Sequence, residues 1–329
     1  MTKLIKLTIC DVEDAHGNVE DTERFAKLRA ARTTGPWEFE AIQGFFKQSD
    51  PDTDDSTFDF IEEHLGLAMG SWDGLKSRLS QLNRDSEPSE SYKLIFFARH
   101  GQGNHNRIVD LYGADMWNQK FAVMTSTILP SGEKITWAPD PDLTEKGRAQ
   151  AEETHEAIVR EIKRGLPLPS KLFCSPLRRA ATTQMITWRG LTLCREEDDE
   201  SLLLTGKRQH PIFKESLRET IGRNLCDKRK SKADIASHFV PWGFKFEEGF
   251  REEDPLFAND SRESMIEQSL RADSFLQELF EENPDDEVIY TTSHAAEIRA
   301  FINATGHRLF SIPTAGIIPM VIKGTRRNE

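Results

Sequence analysis

Arg99-His100-Gly101 follows directly on the apolar run Leu94-Ile95-Phe96-Phe97-Ala98. A short apolar run of this kind reads as a buried strand. It would deliver an imidazole and a guanidinium together at its carboxyl end. A histidine there can act as a nucleophile, with the arginine as an anion clamp. Three later segments bring matching groups. Ser175-Pro176-Leu177-Arg178-Arg179-Ala180 lies where a strand gives way to a helix, and a helix start favours anions through its free N–H groups and dipole. Leu217-Arg218-Glu219 offers a carboxyl group, with Glu215 as the competing candidate. Thr291-Thr292-Ser293-His294 ends another strand and adds a second imidazole. Nucleophile, cationic clamps and a proton source are what phosphoryl transfer requires. The glycines of Gly101-Gln102-Gly103 let the backbone turn tightly beside an anion.

The elements that must position these residues alternate. Lys171 to Cys174, Pro211 to Phe213, Glu287 to Thr292 and Ile317 to Ile322 read as strands. Helices are expected from Thr144 (its N-cap) to Lys163, from Pro176 to about Trp188, from Ser261 toward Pro284, and from Ala295 to Ala304 with Gly306 as C-cap. Strands separated by helices predict an α/β, three-layer fold with a largely parallel central sheet flanked by helices. Ligands of such sheets sit beyond the carboxyl ends of the strands, where all the motifs fall.

Residues 1–91 have fewer apolar positions. Two stretches there, Phe58-Phe60-Ile61-Leu65 and Trp72-Leu75-Leu79-Leu82, have helix-like spacing. The segment is expected to pack as an extension on a core spanning residues 92–325, making residues 1–329 a single domain.

Composition narrows the function classes. The 329-residue chain is 37% hydrophobic and 30% charged, with a formal charge of −12. That balance fits a soluble globular protein and argues against nucleic acid as a partner. No apolar run approaches the ~20 residues of a membrane span, and the start of the chain lacks a signal-peptide pattern. The four cysteines show no paired metal-ligand spacing, so a reducing, cytoplasmic location is expected, with no metal and no cofactor. Cys174 and Arg179 are one residue too close for a Cys-x5-Arg phosphate loop. Asp52-Thr53-Asp54-Asp55-Ser56 lacks the strand that an aspartyl-phosphate motif needs. Lys228-Arg229-Lys230 reads as a solvated basic run.

The order of motifs resembles the histidine phosphatase superfamily, also called phosphoglycerate mutase-like, over about residues 92–325. Leu143-Thr144, Gly147 and Gln150-Ala151 match its Leu-Thr-x-x-Gly-x-x-Gln-Ala pattern. Arg99-His100-Gly101-Gln102-Gly103-Asn104-His105-Asn106, with Tyr112-Gly113 and Trp117, is similar to a fungal and plant phosphomutase-like branch. The resemblance implies His100 as the phosphorylated residue, Glu219 as proton donor, and Arg99, Arg179 and a protonated His294 as phosphate clamps. It also implies Asn106 as a phosphate contact. Gly101, Gln102, Arg178, His105 and Trp117 are further candidates around the phosphate and substrate. Ala295-Ala296 stands where the family has Gly-Gly, which narrows the anion pocket. The expected activity is metal-independent hydrolysis of a small phosphorylated metabolite. A phosphomutase or a noncatalytic phosphate-binding protein is the alternative. The aromatics of the insertion from Asp110 to Pro141 (Trp117, Phe121 and Trp137) and of the segment bearing Trp242, Phe244 and Phe246 are open to two readings: packing in a lid or core, or a stacking surface that meets the rest of the substrate and sets its choice.

Overall fold

The computed structural model describes residues 3–17, 19–30 and 35–327. Its strands are β1 (Trp37–Ile42), β2 (Glu90–Arg99), β3 (Ser126–Ile128), β4 (Lys134–Thr136), β5 (Lys171–Cys174), β6 (Ile212–Phe213), β7 (Lys245–Phe246), β8 (Val288–Ser293) and β9 (Ile317–Arg326). The helices are α1 (Ile9–His16), α2 (Val19–Ala30), α3 (Trp72–Asp85), α4 (Asn104–Gln119), α5 (Glu145–Lys163), α6 (Arg178–Trp188), α7 (Lys232–Phe239), α8 (Met265–Glu282) and α9 (Ala295–Thr305).

Seven strands form one sheet in the order β1-β9-β2-β8-β5-β6-β7. β2, β8, β5, β6 and β7 pair in parallel, whereas β9 runs antiparallel between β1 and β2. The largely parallel sheet expected from the alternation is therefore present, closed on one side by an antiparallel pair. Side chains of β2 alternate between the two faces. Leu94, Phe96 and Ala98 join a core with Trp72 of α3, Ile158 of α5 and Trp188 of α6. Ile95 and Phe97 join another with Phe275 and Leu276 of α8 and Phe301 of α9. That is the third layer.

Caps set the helix starts as the sequence reading expected at Thr144, whose side chain accepts from the Gly147 N–H. Helix α8 begins later than expected, because Ser264 and Glu267 form a capping box there. Gly306 ends α9 in the left-handed region.

One expectation for the extension needs correction. Residues 58–65 are turns and a short 3-10 segment, not a helix. His64, Leu65 and Gly66 all have positive φ, which a right-handed helix does not accommodate. The extension also does more than pack on the core. β1 adds an edge strand to the sheet, while α1 and the residues before it reach the strand ends.

Candidate active site

Register brings the motifs together. Arg99 sits level with Ser293, and Cys174 with Thr292, so the residues following three parallel strands emerge side by side. His100, Ser175 and His294 are those residues.

The loop after β2 is braced by the start of α5. The Thr144 N–H donates to the Gln102 carbonyl at 2.9 Å, and its hydroxyl to the Gln102 side-chain oxygen at 2.9 Å. The Gln102 N–H donates to Gln150 Oε1 at 2.9 Å. A Cβ at Gly101 would collide with the Gly147 carbonyl, and one at Gly147 with the Gln102 backbone. The Leu-Thr-x-x-Gly-x-x-Gln pattern thus works as a buttress for the histidine loop. From the other side the Gly101 N–H donates to Thr183 Oγ1, and that hydroxyl donates to the Arg179 carbonyl.

His100 is 1% exposed. Its Nδ1 lies 2.7 Å from the Gly101 carbonyl, which can only accept, so Nδ1 carries the proton. Nε2 then keeps its lone pair, toward which Arg179 Nε donates at 3.3 Å. Burial, together with Arg179 and Arg99, holds the imidazole well below its ordinary pKa, so it is neutral near pH 7.

Arg179 is fully buried. Its Nη1 donates to the Cys226 carbonyl at 3.0 Å and its Nη2 to Asp227 Oδ1 at 2.9 Å. The His294 ring lies edge-on, 5.0 Å from that of His100, with its Nε2 2.8 Å from Ser175 Oγ. Burial, Arg179 and His100 push His294 well below its ordinary pKa. The protein's own groups therefore leave it neutral, contrary to the expected protonated form.

Next to these buried groups, and separated from them by lining neighbours such as Arg99, Asp227 and Ala295, lies a cavity of about 350 Å³, lined also by Gln102, His105, Asn106, Trp117 and Glu219 among others. Glu219 Oε1 accepts from the Thr220 N–H at 2.9 Å. Burial, and the Asp227 charge beside it, raise its pKa above the usual carboxylate value. Glu215, the competing candidate, is instead paired with Arg218 and Arg229 and does not line the cavity. Asn106 Oδ1 accepts from the Gly103 N–H at 2.9 Å, fixing the loop as it opens α4. The His105 ring is 5.5 Å from that of His100 and 6.3 Å from Trp117. Ala295 and Ala296 also line the cavity.

Other candidates lie elsewhere. Arg178 is not among the cavity's lining residues and pairs with Asp234 at 2.6 Å and Asp142 at 3.6 Å. Gly101 contributes close packing of its backbone and does not line the cavity. Trp137 is fully buried and packs with Phe121 and Trp117 in a separate small core. Of these three aromatics only Trp117 reaches the cavity. Phe244 and Phe246 pack on Phe213, and Trp242 lies under Arg195, all away from the cavity. Arg229 is not solvated. It is buried, donates to Glu215 and to four backbone carbonyls, and lies 4.4 Å above the Phe250 ring.

The sequence reading missed one wall of the cavity. Lys6, Thr8, Cys10, Asp11 and Asp14 come from the extension, and Arg262 from the loop before α8. Asp11 is 88 positions from Arg99, its partner. The Thr8-x-x-Asp11 capping spacing marks a helix start but says nothing of where that helix lies. Among the described residues, no group of three or more His, Cys, Asp or Glu converges to hold a metal ion. Nor is any helix there long and apolar enough to cross a membrane.

Comparison with known proteins places this geometry. The profile of the histidine phosphatase superfamily (branch 1) matches residues 126–202. A probable phosphoglycerate mutase of Arthroderma benhamiae is 30% identical over 300 residues, covering 87% of this chain and 84% of that protein. Phosphomutase-like protein 3 of Candida albicans is 33% identical over 295 residues, covering 90% and 83%. Among solved structures, mycobacterial hydrolase 1 is similar at 19% identity, with a TM-score of 0.39 over 70% of this chain and 91% of that one. With two relatives at this identity spanning most of both chains, the protein belongs to the histidine phosphatase superfamily.

Proposed function

We propose that the protein is a metal-independent phosphatase that hydrolyses a phosphomonoester of a small metabolite through a phosphohistidine on His100. The observation that carries this reading is the state of His100: a neutral, buried imidazole whose unprotonated Nε2 faces the Arg179 guanidinium. That nitrogen attacks phosphorus, and the bond to the ester oxygen breaks. Glu219, whose raised pKa keeps more of it protonated, gives its proton to the leaving oxygen. In the second half, Glu219 takes a proton from water as the water attacks phosphorus and the N–P bond breaks. Arg99 and Arg179 hold the non-bridging oxygens. A bound dianion would add the negative charge that favours a protonated His294.

Hydrolysis and transfer share the first half-reaction. The names of the two fungal relatives favour a mutase as the second reading. The four unpaired cysteines fit a reducing, cytoplasmic location.

Rapid quenching with phosphate-labelled substrate at neutral or alkaline pH should trap an acid-labile phosphoryl group on the wild type and none on His100→Ala. Label should then appear as inorganic phosphate. Label retained on an organic product, in the presence of a bisphosphorylated primer, would favour the mutase. A persistent intermediate in His100→Ala would remove the assignment.

A further inference from the structure

The contact that no motif foreshadows is the one between Asp11 and Arg99. Asp11 Oδ1 lies 2.5 Å from Arg99 Nη1, and both side chains are buried. The other carboxylate oxygen, Oδ2, accepts from the Thr8 N–H at 2.8 Å. Thr8 Oγ1 in turn accepts from the Asp11 N–H. The carboxylate is therefore oriented by the cap of its own helix before it meets the arginine. The Ile312 carbonyl accepts from the same Nη1 at 2.6 Å.

An arginine Nη1 carries two protons, and these two acceptors use both. Nη1 is the nitrogen on the Cδ side of the guanidinium. The opposite edge, formed by Nε and Nη2, is the one that grips a tetrahedral oxyanion with two parallel hydrogen bonds. Here Nε is buried without a partner, Nη2 makes no hydrogen bond to a described residue, and Arg99 lines the cavity. The carboxylate thus occupies the edge that a phosphate does not need.

We propose that Asp11 is a positioning residue: it fixes Arg99 through Nη1 so that the Nε–Nη2 edge stays turned to the phosphoryl group. The N-terminal segment is then part of the phosphate site and not only a covering. The alternative sense of the same contact is an internal anion that competes with phosphate for Arg99, and it predicts the opposite sign. The inference rests on the phosphatase reading above.

The test is a double-mutant cycle on the full chain, read by calorimetric binding of inorganic orthovanadate and by kcat and KM. Asp11→Ala should weaken vanadate binding by roughly tenfold, the scale seen when the partner orienting a ligand-binding side chain is removed. In an Arg99→Ala background the same change should do almost nothing, because its route is gone. An equal loss in both backgrounds would mean that Asp11 only supports the fold, and would overturn the proposal. Tighter vanadate binding by Asp11→Ala would overturn it in favour of the competing anion. Wild type that binds vanadate but releases no phosphate would refute the phosphatase reading alone, since the cycle is read on binding.

Discussion

The site has two parts, built differently. The floor beneath the cavity consists of His100, Arg179 and His294, all buried behind the lining residues, each with bonds to a neighbouring loop or helix. Each comes from the carboxyl end of a parallel strand or the helix start just after it. The wall consists of Lys6, Asp14, Trp117 and Arg262, drawn from the extension, an insertion and a long loop. Lys6 and Arg262 are exposed. On the proposed function, the difference separates two tasks: the floor would hold one geometry for any phosphomonoester, while the wall would meet whatever the phosphate is attached to.

The sharpest way to test that separation is Arg179→Ala. It removes a clamp and leaves Asp227 buried beside a cavity. Turnover should fall by roughly 10²–10³-fold for every substrate alike. Loss of the buried partner should also cost about 3–5 kcal/mol of stability, measurable by urea unfolding. A loss confined to some substrates would place Arg179 on the wall.

Glu219→Gln stands between floor and wall, since Glu219 lines the cavity and is the proposed acid for the leaving oxygen. It should lose about 10²- to 10⁴-fold with poor leaving groups, and little with p-nitrophenyl phosphate. The acid form is the active one, and its pKa is raised. Wild-type kcat/KM should therefore fall as pH rises through a value above the usual carboxylate range. His100 stays unprotonated to unusually low pH, so activity should persist well to the acid side of that limb. Survival of the high-pH limb in Glu219→Gln would reassign the acid.

Within the insertion, Trp137→Ala and Trp117→Ala should diverge. Trp137 is core, so its loss should cost about 3–5 kcal/mol without changing substrate preference. Trp117 lines the cavity, so its loss should reorder natural substrates by several-fold while p-nitrophenyl phosphate hydrolysis changes little. Identical behaviour of the two variants would make Trp117 a packing residue too. The smallest expected effect is that of exhaustive chelation, which should leave phosphate release unchanged. Activity lost to EDTA and restored by a divalent ion would contradict the floor as drawn.

The same division explains what could be read in advance. A strand-end histidine and arginine carry their meaning locally, because the apolar run before them fixes where they emerge. Thr144 and Gly147 were legible as a helix start, although their contact with Gln102 was not. Arg178 and Arg179 are adjacent in sequence, yet helix geometry sends one to Asp234 and the other to His100. The aromatics of the insertion and of 242–246 read equally well as packing or as substrate contacts, and most found one another or the sheet. Nothing local distinguishes an aromatic residue that packs from one that waits for a ligand. Arg229 shows the converse, since a basic run looks solvated until five acceptors converge on one member. Asp11 left no trace because its partner is fixed only by the complete fold.

The back-to-back glycines at 101 and 147 have a consequence for how this sequence can drift over generations. A methyl group at either position meets main chain and not a side chain. No compensating change at a second site can trim a carbonyl, so neither position can be rescued by trial elsewhere. Lineages are barred from retuning the histidine loop in small steps. They remain freer to vary an exposed wall position such as Lys6, where a new side chain meets the cavity and solvent. Inherited change is thereby steered toward new substrates and away from new chemistry.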